Sequence, residues 1–183
     1  MPNQLIDQFG RSIEYVRLSV TDRCDLRCFY CMPDGFKDFE EPESWLTFDE
    51  IERVIRCFTE LGTHRIRITG GEPLVRKDLP ELARRLSRLE RLEDLSLSTN
   101  ATQLERHAAD LAEAGISRIN VSLDTLRPDR FKEITKGKFD KVYKGLMAAK
   151  AAGLNPIKIN MVVMKDVNDD EVNDMVDFCI EHD

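Results

Sequence analysis

Three cysteines, Cys24, Cys28 and Cys31, lie within a stretch of eight residues. Cysteine thiolates hold iron–sulfur clusters, and a cubane has four irons. Three local ligands would leave one iron open, and an open site on a metal centre takes a substrate or a cofactor. Two other interpretations stay open, a zinc site and a loop of buried thiols. A zinc site would need a fourth ligand nearby, and the next histidine is His64.

The composition predicts one globular domain over residues 1–183. Hydrophobic residues make up 42% and charged residues 33% of the chain, which is ordinary for such a domain. Clustered cysteines argue against a disulfide framework. Together with the lack of a signal-peptide pattern or a membrane-spanning run, they predict a cytoplasmic location. A net charge of −7 argues against non-specific binding to nucleic acid.

Strand and helix patterns alternate along the chain and must position the cysteines. Strand patterns cover residues 15–20, 65–69, 94–98, 118–123 and 157–163. Helix signals follow at Thr47 with Glu50, Asp78 with Glu81, Thr102 with Glu105, residues 140–152, and Asn168 with Glu171. Repeated strand–helix units predict an α/β fold with a parallel sheet, either doubly wound or closing as a barrel.

Each predicted strand has one apolar and one polar face. In the second strand, for example, Ile66 and Ile68 alternate with Arg67 and Thr69. A sheet covered by helices on both faces would have nearly continuous apolar strands. The alternation therefore favours a partial (β/α) barrel of five parallel strands, with helices outside and a polar hollow inside. That hollow is the candidate site.

Three cations, Arg17, Arg67 and Lys158, fall on the polar faces of three different strands. Burying unpaired cations is very unfavourable, so they predict an anion in the hollow. Arginine forks suit phosphate, and lysine adds a point charge. The alternative is that the carboxylates Glu72 and Asp124, which end neighbouring strands, pair with them.

Two consecutive glycines, Gly70 and Gly71, follow the second strand. Glycine allows a close approach of the backbone to a ligand, and consecutive amides in such a turn bind anionic groups. A tight strand-to-helix turn with no ligand is the alternative interpretation.

The C-x3-C-x2-C spacing, with Tyr30 before the last cysteine and Gly-Gly-Glu downstream, resembles the radical S-adenosylmethionine (SAM) superfamily. The resemblance implies a barrel of six strands, of which this chain holds five. It implies a [4Fe-4S] cluster on Cys24, Cys28 and Cys31, whose electron cleaves SAM to a 5′-deoxyadenosyl radical. It also implies SAM contacts from Tyr30, Gly71 and Ser122.

Longer runs resemble one group within that superfamily, the enzymes that cyclise GTP in the first step of molybdenum cofactor biosynthesis. The runs are Arg17-Leu-Ser-Val-Thr-Asp-Arg-Cys24, Arg67-Ile-Thr-Gly-Gly-Glu-Pro, Asn120-Val-Ser-Leu-Asp124 and Lys158-Ile-Asn160. The resemblance implies GTP contacts from Arg17, Arg67, Ser98 and Lys158. It further implies a flavodoxin- or ferredoxin-like electron donor, a homodimer, and transfer of the product to the next enzyme of the pathway. Another radical SAM chemistry, such as peptide modification, and a non-catalytic metal-binding module stay open.

Some positions depart from that group. Ala101 and Asp25 stand where glycine and asparagine are common, and Ala101 is expected to alter its turn. Cys57 and Cys179 are predicted to be core residues on apolar helix faces. The chain is expected to be an N-terminal part, truncated before the sixth strand and the region of a second cluster. Alone it is expected to be weak or inactive in cyclisation.

Overall fold

Five parallel strands form one sheet in the computed structural model, which describes residues 4–32, 35–39 and 42–182. The strands are β1 (Tyr15–Ser19), β2 (Arg65–Thr69), β3 (Asp94–Thr99), β4 (Arg118–Ser122) and β5 (Ile157–Asn160). They lie side by side in chain order, and every pairing is parallel. Within the described ranges β1 and β5 are the two edges, so the predicted α/β partial barrel is confirmed and the sheet is not closed.

Six α-helices accompany the strands in the described ranges. They are α1 (Phe48–Glu60), α2 (Leu79–Ser87), α3 (Leu104–Glu113), α4 (Pro128–Thr135), α5 (Phe139–Ala151) and α6 (Val172–Glu181). Five of them occupy the predicted positions, whereas α4 was not predicted, although proline in its first turn is a typical helix start. No helix in the described part of the chain is both long enough and apolar enough to cross a bilayer.

The apolar face of the sheet forms the core with the helices. Five strand residues there have no exposed surface: Ile66, Ile68, Leu97, Ile119 and Val121. The alternation predicted from the sequence is therefore confirmed, because side chains two residues apart share a face of a strand. The opposite, polar face stays open and positions the candidate site.

Only one of the predicted helix caps has the expected hydrogen bonds. Thr47 and Glu50 form a capping box, in which the Glu50 amide donates to Thr47 Oγ1 at 3.3 Å and the Thr47 amide donates to Glu50 Oε2 at 2.8 Å. Asp78 is the N-cap of α2, as predicted, although its side chain accepts no capping hydrogen bond. The α3 prediction is wrong, because Gln103 is the N-cap and the Thr102 hydroxyl binds Asp25.

Asn168 and Glu171 join distant segments instead of capping a helix. Asn168 Nδ2 donates to the carbonyls of Asp124 at 2.7 Å and Val162 at 2.9 Å. The carboxylate of Glu171 accepts the Thr125 hydroxyl at 2.6 Å. Both side chains are fully buried, so tertiary contacts have replaced the local ones that the spacing predicts.

Cys57 and Cys179 are exposed, so the prediction that they belong to the core is wrong. On α1 the buried residues include Ile51 and Ile55, and Cys57 follows Ile55 by two positions, which places it on the opposite side of the helix. On α6 Cys179 follows the buried Met175 by one turn, but no described segment covers that turn.

Candidate functional site

One open cavity of about 410 Å³ lies over the polar face of the sheet, at the carboxyl ends of the strands. Parallel α/β sheets bind their ligands at these ends. The cavity brings together nine of the ten predicted site residues: Arg17, Cys24, Cys28, Tyr30, Cys31, Arg67, Gly71, Ser98 and Ser122. The tenth, Lys158, is exposed and does not line the cavity.

The three clustered cysteines are free thiols on the loop that follows β1. Cys28 O accepts the Cys31 amide at 3.0 Å, which turns the third cysteine back beside the second. The Leu26 amide donates to Cys24 Sγ at 3.4 Å. Three cysteines that line one cavity, one of them with an N–H donor to its sulfur, fit the ligand set of an iron–sulfur cluster.

Burial disfavours charge on two of these thiols. It raises the pKa of Cys24, and it raises the pKa of Cys28 to about 12, with the negative charge of Asp124 adding to the effect. A bound metal centre would stabilise the thiolates that burial disfavours. A zinc site requires at least three His, Cys, Asp or Glu side chains that converge on one metal ion. Within the described ranges, no such group is present.

Helix α4, which was not predicted, is joined to the cysteine loop by two backbone hydrogen bonds. The Arg27 amide donates to Thr135 O at 2.8 Å, and the Phe29 amide donates to Ile134 O at 3.1 Å. These bonds join the backbone of the loop to the last turn of α4. The helix therefore fixes the path of the chain between Cys24 and Cys31.

The glycine pair brings two loops together. A Cβ on Gly70 would lie 2.4 Å from Thr21 O, and one on Gly71 would lie 2.4 Å from Arg23 O. The Gly71 and Glu72 amides donate to those same two carbonyls, each at 2.8 Å. The prediction that consecutive amides here bind an anion is therefore wrong for these two groups, since backbone carbonyls already occupy them.

Neither candidate carboxylate pairs with the strand cations. Glu72 is fully buried and accepts the Thr99 hydroxyl at 2.8 Å and the Asn100 amide at 2.6 Å. Asp124 accepts the Tyr30 hydroxyl at 2.5 Å and the Val162 amide at 2.9 Å. The alternative interpretation of the cations, neutralisation by these two groups, is wrong.

The contacts of Asp124 also hold Tyr30 in place at the end of the cysteine loop. Burial and the adjacent Asp124 carboxylate raise the pKa of Tyr30, so its hydroxyl stays protonated and donates. Because the Val162 amide donates to Asp124, the ladder of β5 ends at Asn160, short of residue 163. One buried carboxylate thus positions the loop against the ends of β4 and β5.

Arg17 and Arg67 are direct neighbours across β1 and β2. The Arg67 guanidinium lies 5.4 Å from the centroid of the Tyr15 ring, and its buried Nε has no hydrogen-bond partner among the described residues. No ion pair in the described part of the chain includes Arg17, Arg67 or Lys158. The cavity therefore has two adjacent cations and no carboxylate that neutralises them, which suits an anionic ligand.

Asn100 lines the cavity and has a role that the sequence did not indicate, and Ala101 follows it in the same turn. Asn100 Nδ2 lies 3.7 Å from Cys24 Sγ and 2.8 Å from Asp25 Oδ1. Ala101 has φ +64 and no exposed surface. The expectation that alanine alters this turn is wrong, because Ala101 adopts the left-handed conformation that glycine favours.

The sequence profile of the Radical SAM superfamily matches residues 18–179, and the chain belongs to this superfamily. Among curated proteins, it is similar to the GTP 3′,8-cyclase of Hydrogenovibrio crunogenus, with 52% identity over 97% of this chain and 54% of the relative. It is likewise similar to the GTP 3′,8-cyclase of Petrotoga mobilis, with 47% identity over 98% of this chain and 56% of the relative. The chain spans about half the length of these relatives.

Solved structures of other proteins share the fold. The crystal structure of Streptococcus suis SuiB bound to S-adenosylmethionine has a TM-score of 0.77 and 24% identity, and the match covers 92% of this chain and 38% of SuiB. The crystal structure of HydG, a maturase of the [FeFe]-hydrogenase, has a TM-score of 0.66 and 16% identity, over 81% of this chain and 34% of HydG. At such identities the comparison establishes the fold alone.

Proposed function

We propose that this chain is the radical SAM core of an enzyme that converts GTP to (8S)-3′,8-cyclo-7,8-dihydroguanosine 5′-triphosphate in molybdenum cofactor biosynthesis. The observation that carries the proposal is the cavity, which places three cysteines and two unneutralised arginines around one space. Identities near 50% to GTP 3′,8-cyclases support the substrate.

Cys24, Cys28 and Cys31 would hold a [4Fe-4S] cluster, which supplies the electron that cleaves bound SAM to a 5′-deoxyadenosyl radical. Tyr30, Gly71 and Ser122 would contact SAM, and all three line the cavity. The hydrogen bond from Tyr30 to Asp124 holds the loop toward the strand ends. The amino group of SAM is a donor, so the carbonyl oxygens of the glycine turn are the backbone groups that would accept its hydrogen bond, while the Gly71 amide donates to Thr21 O.

Arg17, Arg67 and Ser98 would bind GTP from the strand side of the cavity. The two guanidinium groups suit the triphosphate, and the Ser98 hydroxyl adds a neutral donor. Lys158 neighbours Asn120, which in turn neighbours Ser98 across the sheet. Its four-carbon side chain would reach the triphosphate from outside the cavity, as a peripheral charge.

The proposal also includes partners and location. The electron would come from a flavodoxin- or ferredoxin-like protein, and the product would pass to the next enzyme of the molybdopterin pathway. We place the protein in the cytoplasm, where reduced thiols such as these five free cysteines persist. A homodimer is part of the same proposal.

Anaerobic reconstitution with iron and sulfide, followed by dithionite and SAM, tests the proposal. We expect 5′-deoxyadenosine from the wild-type protein and none from Cys24→Ser. Cys57→Ser is the matched control, because Cys57 is an exposed thiol on α1 outside the cavity, and it should behave as wild type. Iron binding without 5′-deoxyadenosine would indicate a non-catalytic metal-binding module. Cleavage of SAM without binding of GTP would indicate a different radical SAM chemistry, such as peptide modification.

A further inference from the structure

The side chain of Asn100 lies between a candidate cluster ligand and a carboxylate. Its Nδ2 is 3.7 Å from Cys24 Sγ and 2.8 Å from Asp25 Oδ1. Only 8% of Asn100 is exposed. An amide nitrogen carries two protons, so one can point at the sulfur while the other points at the carboxylate.

The orientation of this amide is fixed by its other atoms. Asn100 Oδ1 accepts the Thr102 amide at 2.9 Å. The backbone amide of Asn100 donates to Glu72 Oε2 at 2.6 Å. A flip of the side-chain amide would place its N–H groups against the Thr102 amide and its oxygen against the Asp25 carboxylate, and it would remove the Asn100 donor from Cys24.

Asp25 is exposed and is held by the same turn. Its carboxylate accepts the Thr102 hydroxyl at 2.6 Å and Gln103 Nε2 at 3.4 Å, in addition to Asn100. Asp25 directly follows Cys24 in the chain, so a fixed negative charge lies beside the sulfur that accepts the Asn100 hydrogen bond. The two influences on Cys24 are therefore opposite in sign.

We infer that Asn100 is a positioning residue that raises the reduction potential of a cluster bound through Cys24, and that Asp25 lowers it. The inference rests on the proposed function, which places a cluster on the three cysteines. Hydrogen bonds to the sulfurs and the net charge nearby are two factors that set iron–sulfur potentials. Reduction adds negative charge, which an N–H donor stabilises and an adjacent carboxylate opposes.

The test is a redox titration of the reconstituted protein, in which the electron paramagnetic resonance signal of the reduced cluster is the measured quantity. We expect Asn100→Leu to shift the midpoint potential lower, since it removes the donor at similar volume. We expect Asp25→Asn to shift it higher, since it removes the charge and keeps one oxygen that accepts the Asn100 bond. The Thr102 hydroxyl can then turn to Asn100 Oδ1, which lies 2.7 Å away. Asp110→Asn, an exposed change of the same kind on α3, is the matched control and should leave the potential unchanged.

The two variants separate tuning from a structural role. A residue that only supports the loop would change cluster content, and it would not shift two potentials in opposite directions. Unchanged potentials in both variants, or shifts in the same direction, would overturn the inference while the wild-type signal upholds the cluster. If Asn100→Leu does not assemble a cluster, the Asp25→Asn shift alone decides, and its absence overturns the inference. A wild-type protein without iron or signal would overturn the proposed function and this inference with it.

Discussion

Glu72 has no exposed surface, and its two carboxylate oxygens accept three hydrogen bonds. The donors are the amides of Leu74 and Asn100 and the hydroxyl of Thr99. They come from the turn after β2 and from the end of β3. The carboxylate therefore joins the glycine turn to the Asn100 turn, directly behind the cysteine loop.

The same burial makes the stability of the protein depend on pH. It raises the pKa of Glu72 from an ordinary value of 4.5 to about 7. Between these values the folded protein keeps a proton that the unfolded chain has lost, so this group stabilises the fold less as pH rises toward 7. We expect the free energy of unfolding in urea to fall over this range, with a contribution on the order of 3 kcal/mol from Glu72.

Glu72→Gln should remove that contribution, because the amide does not titrate. Glu50→Gln is the matched control. Hydrogen bonds from Thr47 lower the pKa of Glu50, so its contribution is lost as pH falls below about 4.5, in the opposite direction. An identical pH dependence of unfolding in wild type and Glu72→Gln would contradict the prediction.

At the scale of elements, α5 packs closely against the turn before α3 at one glycine. Gly145 is buried within α5, and a Cβ there would lie 2.1 Å from the carbonyl oxygen of Ala101. Ala101 forms the left-handed turn that leads from β3 toward α3. The contact thus fixes α5 against the turn that also carries Asn100.

Gly145→Ala distinguishes helix propensity from packing. Propensity alone predicts that alanine in the middle of a helix is more stable than glycine by about 1 kcal/mol. The contact with Ala101 predicts the opposite, a loss of roughly 1–3 kcal/mol, because the obstructing atom belongs to the backbone. Thermal or urea unfolding measures the difference. Lys144→Ala, at the exposed neighbouring position, should change stability little, and a more stable Gly145→Ala protein would show that the helices separate easily.

At the scale of the whole molecule, the charge of the cavity is opposite in sign to the net charge of the chain. The chain has a net charge of −7, yet on the strand side of the cavity Arg17 and Arg67 have no carboxylate partner in the part of the chain that the structure describes. An acidic surface around a cationic cavity directs an anionic ligand to the cavity.

Arg67→Ala is therefore expected to weaken GTP binding more than guanosine binding. The lost charge-assisted hydrogen bond contributes roughly 1.5–3 kcal/mol, which is on the order of 10- to 150-fold in Kd. Lys158→Ala should have the same selectivity with a smaller effect, since Lys158 lies outside the cavity. Arg65→Ala is the control, because Arg65 is exposed at the start of β2 beside Glu14. Calorimetric titration measures all three, and equal losses for GTP and guanosine would contradict a phosphate contact.

The alternation of apolar and polar residues along each predicted strand determined which side chains share a face of the sheet. Alternation along each strand placed Arg17 and Arg67 on the polar side and Ile66 and Ile68 in the core, since successive strand side chains point to opposite faces. The cysteine spacing and the Gly-Gly-Glu run likewise indicated the superfamily. Both the alternation and the spacing involve residues that are close in sequence, so they can be identified without knowledge of the fold.

The tertiary structure decided which of those residues meet. Strand parity placed Lys158 on the correct face but did not place it within the cavity. The side chains of Thr102 and Asn168 have capping chemistry, yet their partners lie far away in sequence, at Asp25 and Asp124. Hydrogen-bonding groups take the partner that the folded backbone brings within reach, and no local pattern encodes that distance. For the same reason the contact between Asn100 and Cys24, 76 residues apart, became visible only in the folded chain.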